Sequence, residues 1–496
     1  MKKLGATVVK NAIANVVRGG ASAVVAIALP HFLTRQLDHD RFAGWVLMLQ
    51  IAAYANYLNF GVQTAISRFL AQAMERGDDE ARDSLISTSL AMLWGAAIVA
   101  IVAFAVVLAF LPHLLPEAPK SLLSELAIGT AELALSAALL LPLSTYTGIL
   151  IGLHKNEMPA LAIGGTRLLG ALFVIVAGYH THSLIWLSFW ISIWNLIGGV
   201  IQYFMAYRLL PTMRVTFAAI RKPMFATLIH YCTGLTVFSF GMLLVSGLDV
   251  SIVGYFSFAA AGPYAIASTL LTFVSGLSFS IFSALLTPIA VLQERGENSK
   301  IAQIVLTTTR LSSYVNLLLI ILVFYQGNTL MLRWVGPSYA PQALAILEVL
   351  VCAQMVRSIG GVYSTALVAI GQQNFGITAA LLEGVSNLVL SIVAVKKMGP
   401  IGVAWGTLLG SIVGLIALVV YVFPRVTGLP MMAMKFLVET VIRPVGCLSL
   451  LIVLLLLPKS FMSYFSAVGA VLLSSFLVYR YGNIRGISNP VGQGNI

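Results

Sequence analysis

Charge is what this chain has least of. Only 9% of its 496 residues are Asp, Glu, Lys or Arg, and just 17 of them are acidic. Soluble domains carry roughly 25% charged residues, so composition alone excludes a water-soluble globular protein. Cysteine is nearly absent: Cys232, Cys352 and Cys447 stand in apolar segments with no paired spacing. That pattern offers neither a disulfide framework nor a thiolate zinc site. Hydrophilic runs are short as well. The longest, Arg68 to Ser84, contains Arg76-Gly77-Asp78-Asp79-Glu80 and is read as a cytoplasmic connection, which leaves no room for a soluble catalytic domain. There is no phosphate-cradling glycine loop, metal-ligand cluster or acid–base pair on such a domain, and the glycine-rich pieces lie inside apolar segments. The expectation is a protein that is not an enzyme and uses no cofactor or metal.

What is present is apolar sequence in long runs, with 59% hydrophobic residues and a mean hydropathy of +0.95. The predicted spans are 11–33, 43–62, 85–111, 121–150, 159–179, 184–208, 225–247, 255–291, 301–325, 338–370, 374–395, 400–423, 435–457 and 462–479. Most are long enough to cross about 30 Å of hydrocarbon as a helix. The first, near Ala12 to Phe32, outlasts a signal-peptide core and is read as a retained span. About fourteen spans define an all-alpha polytopic membrane protein, and the even count puts both termini on one face.

Basic residues say which face. With Met1 to Lys10 inside, the inner segments hold Lys2, Lys3, Lys10, Arg68, Arg76, Arg82, Lys155, Arg208, Arg214, Arg221, Lys222, Arg295, Lys300, Arg425, Lys435, Arg480 and Arg485. The outer loops hold only Arg35, Arg41, Lys120, Arg333, Lys396, Lys397 and Lys459. The bias predicts cytoplasmic termini, with Lys396 and Lys397 opposing it. The net charge of +12 then reflects topology and attraction to anionic membrane lipids, without a nucleic-acid partner.

The basic connection from Thr212 to Pro223 divides six spans from the next six. The predicted organisation is an N-terminal six-helix lobe (1–210), a cytoplasmic inter-lobe connection (211–224), a C-terminal six-helix lobe (225–424), and two further helices with a short tail (425–496). A weak echo supports the division: Ile151-Gly152-Leu153-His154-Lys155-Asn156 follows span four, and Ile370-Gly371-Gln372-Gln373-Asn374 follows span ten. Repeated bundles of this kind place binding sites between lobes.

Polar residues inside the spans mark the functional candidates. Asn11, Asn15, Arg18 and Ser22 lie on one side of span one, and Gln50, Tyr54, Tyr57 and Gly61 repeat the spacing on span two. Span ten carries Gln354, Arg357, Gly361 and Thr365, while Arg310 and Tyr314 occupy neighbouring turns of span nine. Each stripe is either an interhelical hydrogen-bonding face or the wall of a hydrated groove. An unpaired arginine in hydrocarbon is costly, so Arg310 and Arg357 must meet water, an anionic substrate or a carboxylate, Glu348 and Glu383 being the competing partners. Glu132 and Arg167 are a potential cross-helix pair or gate, and Arg68 a residue at the inward entrance. Glu132, Glu348, Glu383 and His230 are the coupling or gating candidates, since carboxylates and imidazoles change protonation with solvent access. Asp249 reads as a cap in an outside hairpin. Gly402, Gly406, Gly410 and Gly414 form a close-packing stripe, and Pro142, Pro263 and Pro288 are expected kink or hinge positions.

Taken in order, several segments resemble the polysaccharide exporter (Wzx-like) branch of the multidrug/oligosaccharidyl-lipid/polysaccharide (MOP) exporter superfamily. They are Asn11 to Arg35, Gly44-Trp45, Leu58-Asn59-Phe60-Gly61 through Arg68-Phe69-Leu70-Ala71, Asp249 through Gly254-Tyr255-Phe256-Ser257, Leu285 to Pro288, and Gly399-Pro400-Ile401-Gly402-Val403-Ala404-Trp405-Gly406. The resemblance implies a MATE-like pair of six-helix lobes around a central cavity in the bacterial inner membrane. It also implies alternating-access transfer of a polyprenyl-pyrophosphate-linked oligosaccharide for O-antigen, capsule or exopolysaccharide biosynthesis, with proton or sodium coupling open. Arg18, Arg310 and Arg357 would receive the pyrophosphate, Arg68 and Arg167 would be weaker contacts, and Asn15, Gln50, Tyr54, Tyr57 and Tyr314 would face the sugars. The last two spans would offer a groove for the polyprenyl tail, and a polysaccharide polymerase or assembly protein is an implied partner. The rival readings are a multidrug or organic-cation exporter of the same superfamily, a peptidoglycan lipid-precursor flippase, and a non-transporting membrane scaffold.

Overall fold

The computed structural model describes residue 20 and residues 22–429 and 431–448. It is helical throughout these residues. α1 occupies 22–36, α2 is His39–Ala53, α3 Val62–Arg76, α4 Asp79–Ala109, α5 Leu111–Leu114, α6 Leu123–Gly152, α7 Glu157–Thr181 and α8 Leu184–Leu209. After the connection come α9 (Lys222–Met242), α10 (Asp249–Phe256), α11 (Ala261–Ser283), α12 (Leu286–Glu294), α13 (Asn298–Val335), α14 (Ala340–Ala369), α15 (Gln373–Met398), α16 (Pro400–Ala417) and α17 (Ala433–Leu437). Among the described residues, ten helical segments are long and apolar enough to cross a membrane. The stretch 462–479 lies outside them.

The chain forms two compact units. The first comprises 1–269, 332–343 and 395–403, and the second 270–331, 344–394 and 404–496. In the first, α6 is the central post, packing against α2, α3, α4 and α8. Close approach explains its glycines: a Cβ on Gly148 would stand 2.9 Å from the Gln63 carbonyl oxygen, and one on Gly152 3.0 Å from that of Ser67. From Leu90 onward α4 is apolar all round, as a membrane helix must be. Its Trp94, Ile98, Val102 and Val106 recur one turn apart and are exposed, forming a stripe suited to lipid.

Span two departs from the expected continuous helix. α2 gives way to a 3-10 turn at Tyr54–Asn59, and Phe60 and Gly61 take left-handed φ values of 51° and 73° before α3 begins. The stripe from Gln50 to Gly61 therefore loses α-helical register at Tyr54. Gly61 meets a double demand, since its φ favours glycine and a Cβ would lie 2.6 Å from Leu235 Cδ1. The hydrophilic run from Arg68 to Ser84 is a helical hairpin, and only Gly77 and Asp78 form the turn. α3 stays helical because Val62, Ala65, Ile66, Leu70 and Ala73 give it one buried face. Asp78 caps α4 by accepting the Ala81 N–H at 2.8 Å.

Asp249 also differs from expectation. α9 continues through a π-helical turn at Leu243–Gly247 into α10, so the hairpin falls at Ser257–Ala260 and Asp249 lies within a helix, 7% exposed. Of the three prolines, Pro142 is inside α6, whereas Pro263 and Pro288 sit in the first turns of α11 and α12. A first-turn proline has no intrahelical N–H bond to lose, so those two mark helix starts and not kinks. The two Ile-Gly echoes both end helices, but by different means: Gly152 is a packing residue, while Gly371 is left-handed at φ 75°.

In the second unit, α16 meets α15 through its glycine stripe. Cβ atoms built on Gly406, Gly410 and Gly414 would fall 2.5 Å from Ser391 N, 2.8 Å from Asn387 Cα and 2.8 Å from Glu383 Cβ. Such contacts let two backbones touch where there is no hydrophobic force between helices in lipid. Tyr363, Phe423 and Phe436 anchor an apolar cluster, with ring centroids 4.4 Å and 5.1 Å apart. After α16 the chain passes through a π-helical turn at Leu418–Val422, and α17 likewise runs into a second one at Val438–Ile442.

Gly410→Ala should therefore lower the apparent melting temperature of the detergent-solubilised protein, with an overpacking cost of about 1–3 kcal/mol. Gly165→Ala, where nothing lies within 4 Å of the new Cβ, should leave it unchanged or raise it slightly.

Candidate functional site

The first unit gathers polar groups at the π-turn. A π-turn widens the helix and leaves carbonyls for other donors. Gln50 Nε2 donates to the Gly247 carbonyl at 2.8 Å, and the Tyr54 hydroxyl reaches the same oxygen at 3.0 Å while sharing a 2.6 Å bond with Ser251 Oγ. Tyr57 belongs to the same cluster, because a Cβ on Gly247 would stand 3.0 Å from its hydroxyl. Asp249 accepts the Tyr264 hydroxyl at 3.3 Å. Three of the four residues predicted as a span-two stripe thus converge on one backbone turn, although the register between them is broken.

The other candidates of this unit are spread more widely. Arg68 is exposed on α3, with its guanidinium 5.2 Å from the Tyr231 ring centroid and 5.8 Å from that of Phe69, and His230 is exposed beside Tyr231. An aromatic face holds a cation while leaving its donors available. Glu132 Oε2 accepts the Ser188 hydroxyl at 2.6 Å, and Arg167 Nη1 donates to Ser22 Oγ at 2.7 Å. Asn15 and Arg18 lie outside the described residues.

Two ionic fastenings in this unit were not anticipated. Arg82, 3% exposed, bonds Asp79 and Asp83 of its own helix and also the Thr212 carbonyl at 3.2 Å, while Arg221 pairs with Glu80. Together they fix the connection after α8 to the start of α4. At the end of α13, Arg35 donates to the Arg333 and Trp334 carbonyls at 3.1 Å each, and Trp334 Nε1 donates to the Ile27 carbonyl at 2.8 Å. A guanidinium on terminal helix carbonyls complements the helix dipole. Beside it, Tyr339 stacks on His39 at 4.2 Å, and its burial, with Asp38 and Asp40 nearby, pushes its phenol well above the usual value and keeps it protonated. In the sequence both Arg82 and Arg35 read only as topological charges.

The second unit holds partly buried ion pairs within its spans. Arg357 Nε donates to Glu383 Oε1 at 2.7 Å, with side chains 16% and 18% exposed. Gly414 makes room for this pair, since a Cβ there would lie 2.8 Å from Glu383 Oε2. Arg310 does not use either carboxylate weighed for it. Its Nη1 donates to Glu439 Oε2 at 3.1 Å, and Arg443 Nη1 holds both oxygens of the same carboxylate at 2.7 Å and 2.8 Å. The sequence reading gave Glu439 and Arg443 no role. Their i,i+4 spacing was the available signal. Tyr314, one turn beyond Arg310, is buried against Leu317 and Leu448. Ser275 donates to Gln354 Oε1 at 2.8 Å. Among the described residues no hydrogen bond or ion pair reaches the half-buried Glu348 carboxylate.

Among the described residues no three His, Cys, Asp or Glu side chains are grouped to hold a metal. A profile of the family described as polysaccharide biosynthesis protein matches residues 8–293. The chain belongs to that family. This polysaccharide biosynthesis protein has no match among curated proteins. Its fold is that of solved MOP-superfamily structures. The lipid II flippase MurJ in an inward closed conformation superimposes with a TM-score of 0.73 at 15% identity, covering 97% of this chain and 99% of that one. An inward-facing multidrug resistance MATE transporter of the MOP superfamily gives 0.66 at 13% identity, covering 84% and 98%. A mutant of the MATE transporter VcmN from Vibrio cholerae gives 0.60 at 14% identity, covering 86% and 98%.

Removing Arg357 leaves the Glu383 carboxylate without its counter-ion. Arg357→Gln is expected to destabilise the solubilised protein by about 1–3 kcal/mol, and adding Glu383→Gln should recover much of that loss. Thermal unfolding of both single variants and the double variant measures the coupling.

Proposed function

We propose that this protein is an alternating-access flippase that carries a polyprenyl-pyrophosphate-linked oligosaccharide across the bacterial inner membrane for O-antigen, capsule or exopolysaccharide assembly. The observation that carries the reading is membership of the polysaccharide biosynthesis protein family across residues 8–293. The MOP fold along nearly the full chain supports it, as does the chemistry of the in-span charges. Arginine presents planar donors that match phosphate oxygens, and the second unit carries Arg310, Arg357 and Arg443 in or beside its spans.

In this reading Arg18, Arg310 and Arg357 receive the pyrophosphate, Arg68 guards the inward entrance and Arg167 adds a further charge. Asn15, Gln50, Tyr54, Tyr57 and Tyr314 face the sugars. Glu132, His230, Glu348 and Glu383 are the coupling or gating groups, with proton or sodium as the ion. The proposed organisation remains two six-helix lobes, 1–210 and 225–424, joined by 211–224 and followed by two helices in 425–496, with both termini cytoplasmic. Anionic lipids and a polysaccharide polymerase or assembly protein are the proposed neighbours. One observation favours a second reading: Glu348, an in-span carboxylate that no hydrogen bond or ion pair reaches among the described residues, suits export of organic cations.

Proteoliposomes containing a radiolabelled polyprenyl-pyrophosphate oligosaccharide test the two against each other. The flippase reading expects protein-dependent transfer between leaflets that falls at least about tenfold in Arg310→Ala, a loss of about 1.4 kcal/mol or more. Transport of an organic cation abolished by Glu348→Gln, with no movement of the sugar lipid under proton or sodium gradients, would establish the rival.

A further inference from the structure

The connection after α8 is a fixed element that ends in an exposed apolar tip. α8 stops at Leu209 and α9 starts at Lys222, and both are long apolar helices, so the short segment between them runs along one face of the bilayer. Met213 is buried and Val215 packs against the same apolar cluster. Arg82 holds the Thr212 carbonyl, Ser87 Oγ accepts the Thr216 N–H at 3.3 Å, and Arg221 pairs with Glu80. On that backbone the 3-10 turn Phe217–Ala219 carries Phe217 at 91% exposure, more than any other large apolar side chain among the described residues. A loop free to move would tuck a phenyl ring away from water. Here the fastening holds it out. The surroundings are basic: Arg208, Arg214, Arg221 and Lys222 are all exposed, and no Asp or Glu occurs in the sequence between Glu157 and Asp249. Only Arg221 of the four has a carboxylate partner among the described residues, so three unpaired cations flank the tip along the chain.

We propose that the Phe217 turn is an anchor on the anionic lipid surface, with the phenyl ring inserted between headgroups and Arg208, Arg214 and Lys222 on the surrounding lipid phosphates. Aromatic rings settle at the membrane–water boundary, and Lys and Arg beside them are drawn to anionic headgroups. The attraction expected of the whole chain's positive charge thus has a defined surface. Size favours lipid over a protein partner: Phe217, Ala218 and Ile220 make a tip that fits between headgroups, whereas a protein interface takes roughly 800 Å² from each side. Charge favours it too, because cations without carboxylate partners suit a leaflet rich in phosphate. Since Arg82 and Glu80 fasten the connection to the start of α4, the anchor sets that end of the first unit against the lipid surface. It does so whatever cargo the protein carries.

The test uses full-length protein in nanodiscs with a bimane fluorophore attached through Phe217→Cys, in a background carrying Cys232→Ser, Cys352→Ser and Cys447→Ser, its folding checked by an unchanged melting temperature. Phosphatidylglycerol and phosphatidylcholine, each bearing a nitroxide near the headgroup, are compared as quenchers at equal low mole fraction in the same host bilayer. Both lipids should quench the fluorophore, and the phosphatidylglycerol at least about twofold more strongly. Replacing the three unpaired cations together, by Arg208→Gln, Arg214→Gln and Lys222→Gln, should bring the two lipids to equal quenching. Equal quenching before the cations are removed overturns the proposal, and so does a preference that survives their removal in folded protein. A fluorophore that neither lipid quenches overturns it as well. If that unquenched fluorophore is shielded from water only in native membrane vesicles, a protein partner holds the turn instead.

Discussion

Charge held within hydrocarbon must be compensated, and the structure is organised around that requirement. Each described in-span arginine is provided for in its own way. Arg357 has Glu383, with Gly414 shaped to admit the pair. Arg310 shares Glu439 with Arg443. Arg167 holds a hydroxyl. Burial of an ion pair is weak evidence for stability, because desolvation offsets much of the attraction.

The same solvent accounts for the scaffold. With no hydrophobic force between helices in lipid, close packing replaces it, and glycines at Gly148, Gly152, Gly406, Gly410 and Gly414 bring backbones into contact. Three departures from the regular helix fall where polar groups gather, while the π-turn at Leu418–Val422 lies in the apolar cluster. The 3-10 turn at Tyr54–Asn59 and the π-turn at Leu243–Gly247 meet through Gln50, Tyr54 and Tyr57, and the π-turn at Val438–Ile442 presents Glu439. Irregular backbone at membrane depth survives only where its freed groups find partners, which these side chains supply.

Much of this was legible in the chain itself. Apolar runs located the long helices α4, α6 to α9 and α14 to α16 to within a few residues at most ends, because hydrocarbon thickness imposes their length, whereas α13 runs ten residues past its expected span and the single span 255–291 is divided into α11 and α12. The pairing of Arg357 with Glu383 was among the partners weighed. Breaks in the helices were less legible, since Tyr54 to Asn59 has no proline and its turn is set by contacts with α6 and α9. The continuation of α9 into α10 was hidden for a similar reason: Gly247 and Asp249 read locally as a hairpin, and tertiary bonds to Gln50, Tyr54 and Tyr264 hold them otherwise. Glu439 was missed because it lies far along the chain from Arg310 and sits in a segment read only as a tail groove.

The proposed delivery of a lipid-linked oligosaccharide to the outer face of the inner membrane is tested most directly by where that lipid accumulates in cells. Spheroplasts with and without the protein can be treated with a membrane-impermeant reagent that labels only sugars exposed on the outer face, followed by extraction of the lipid-linked pool. The account predicts that loss of the protein leaves the pool intact in amount but unlabelled, and that restoring the gene restores labelling. Equal labelling in both, with the pool unchanged, would contradict it.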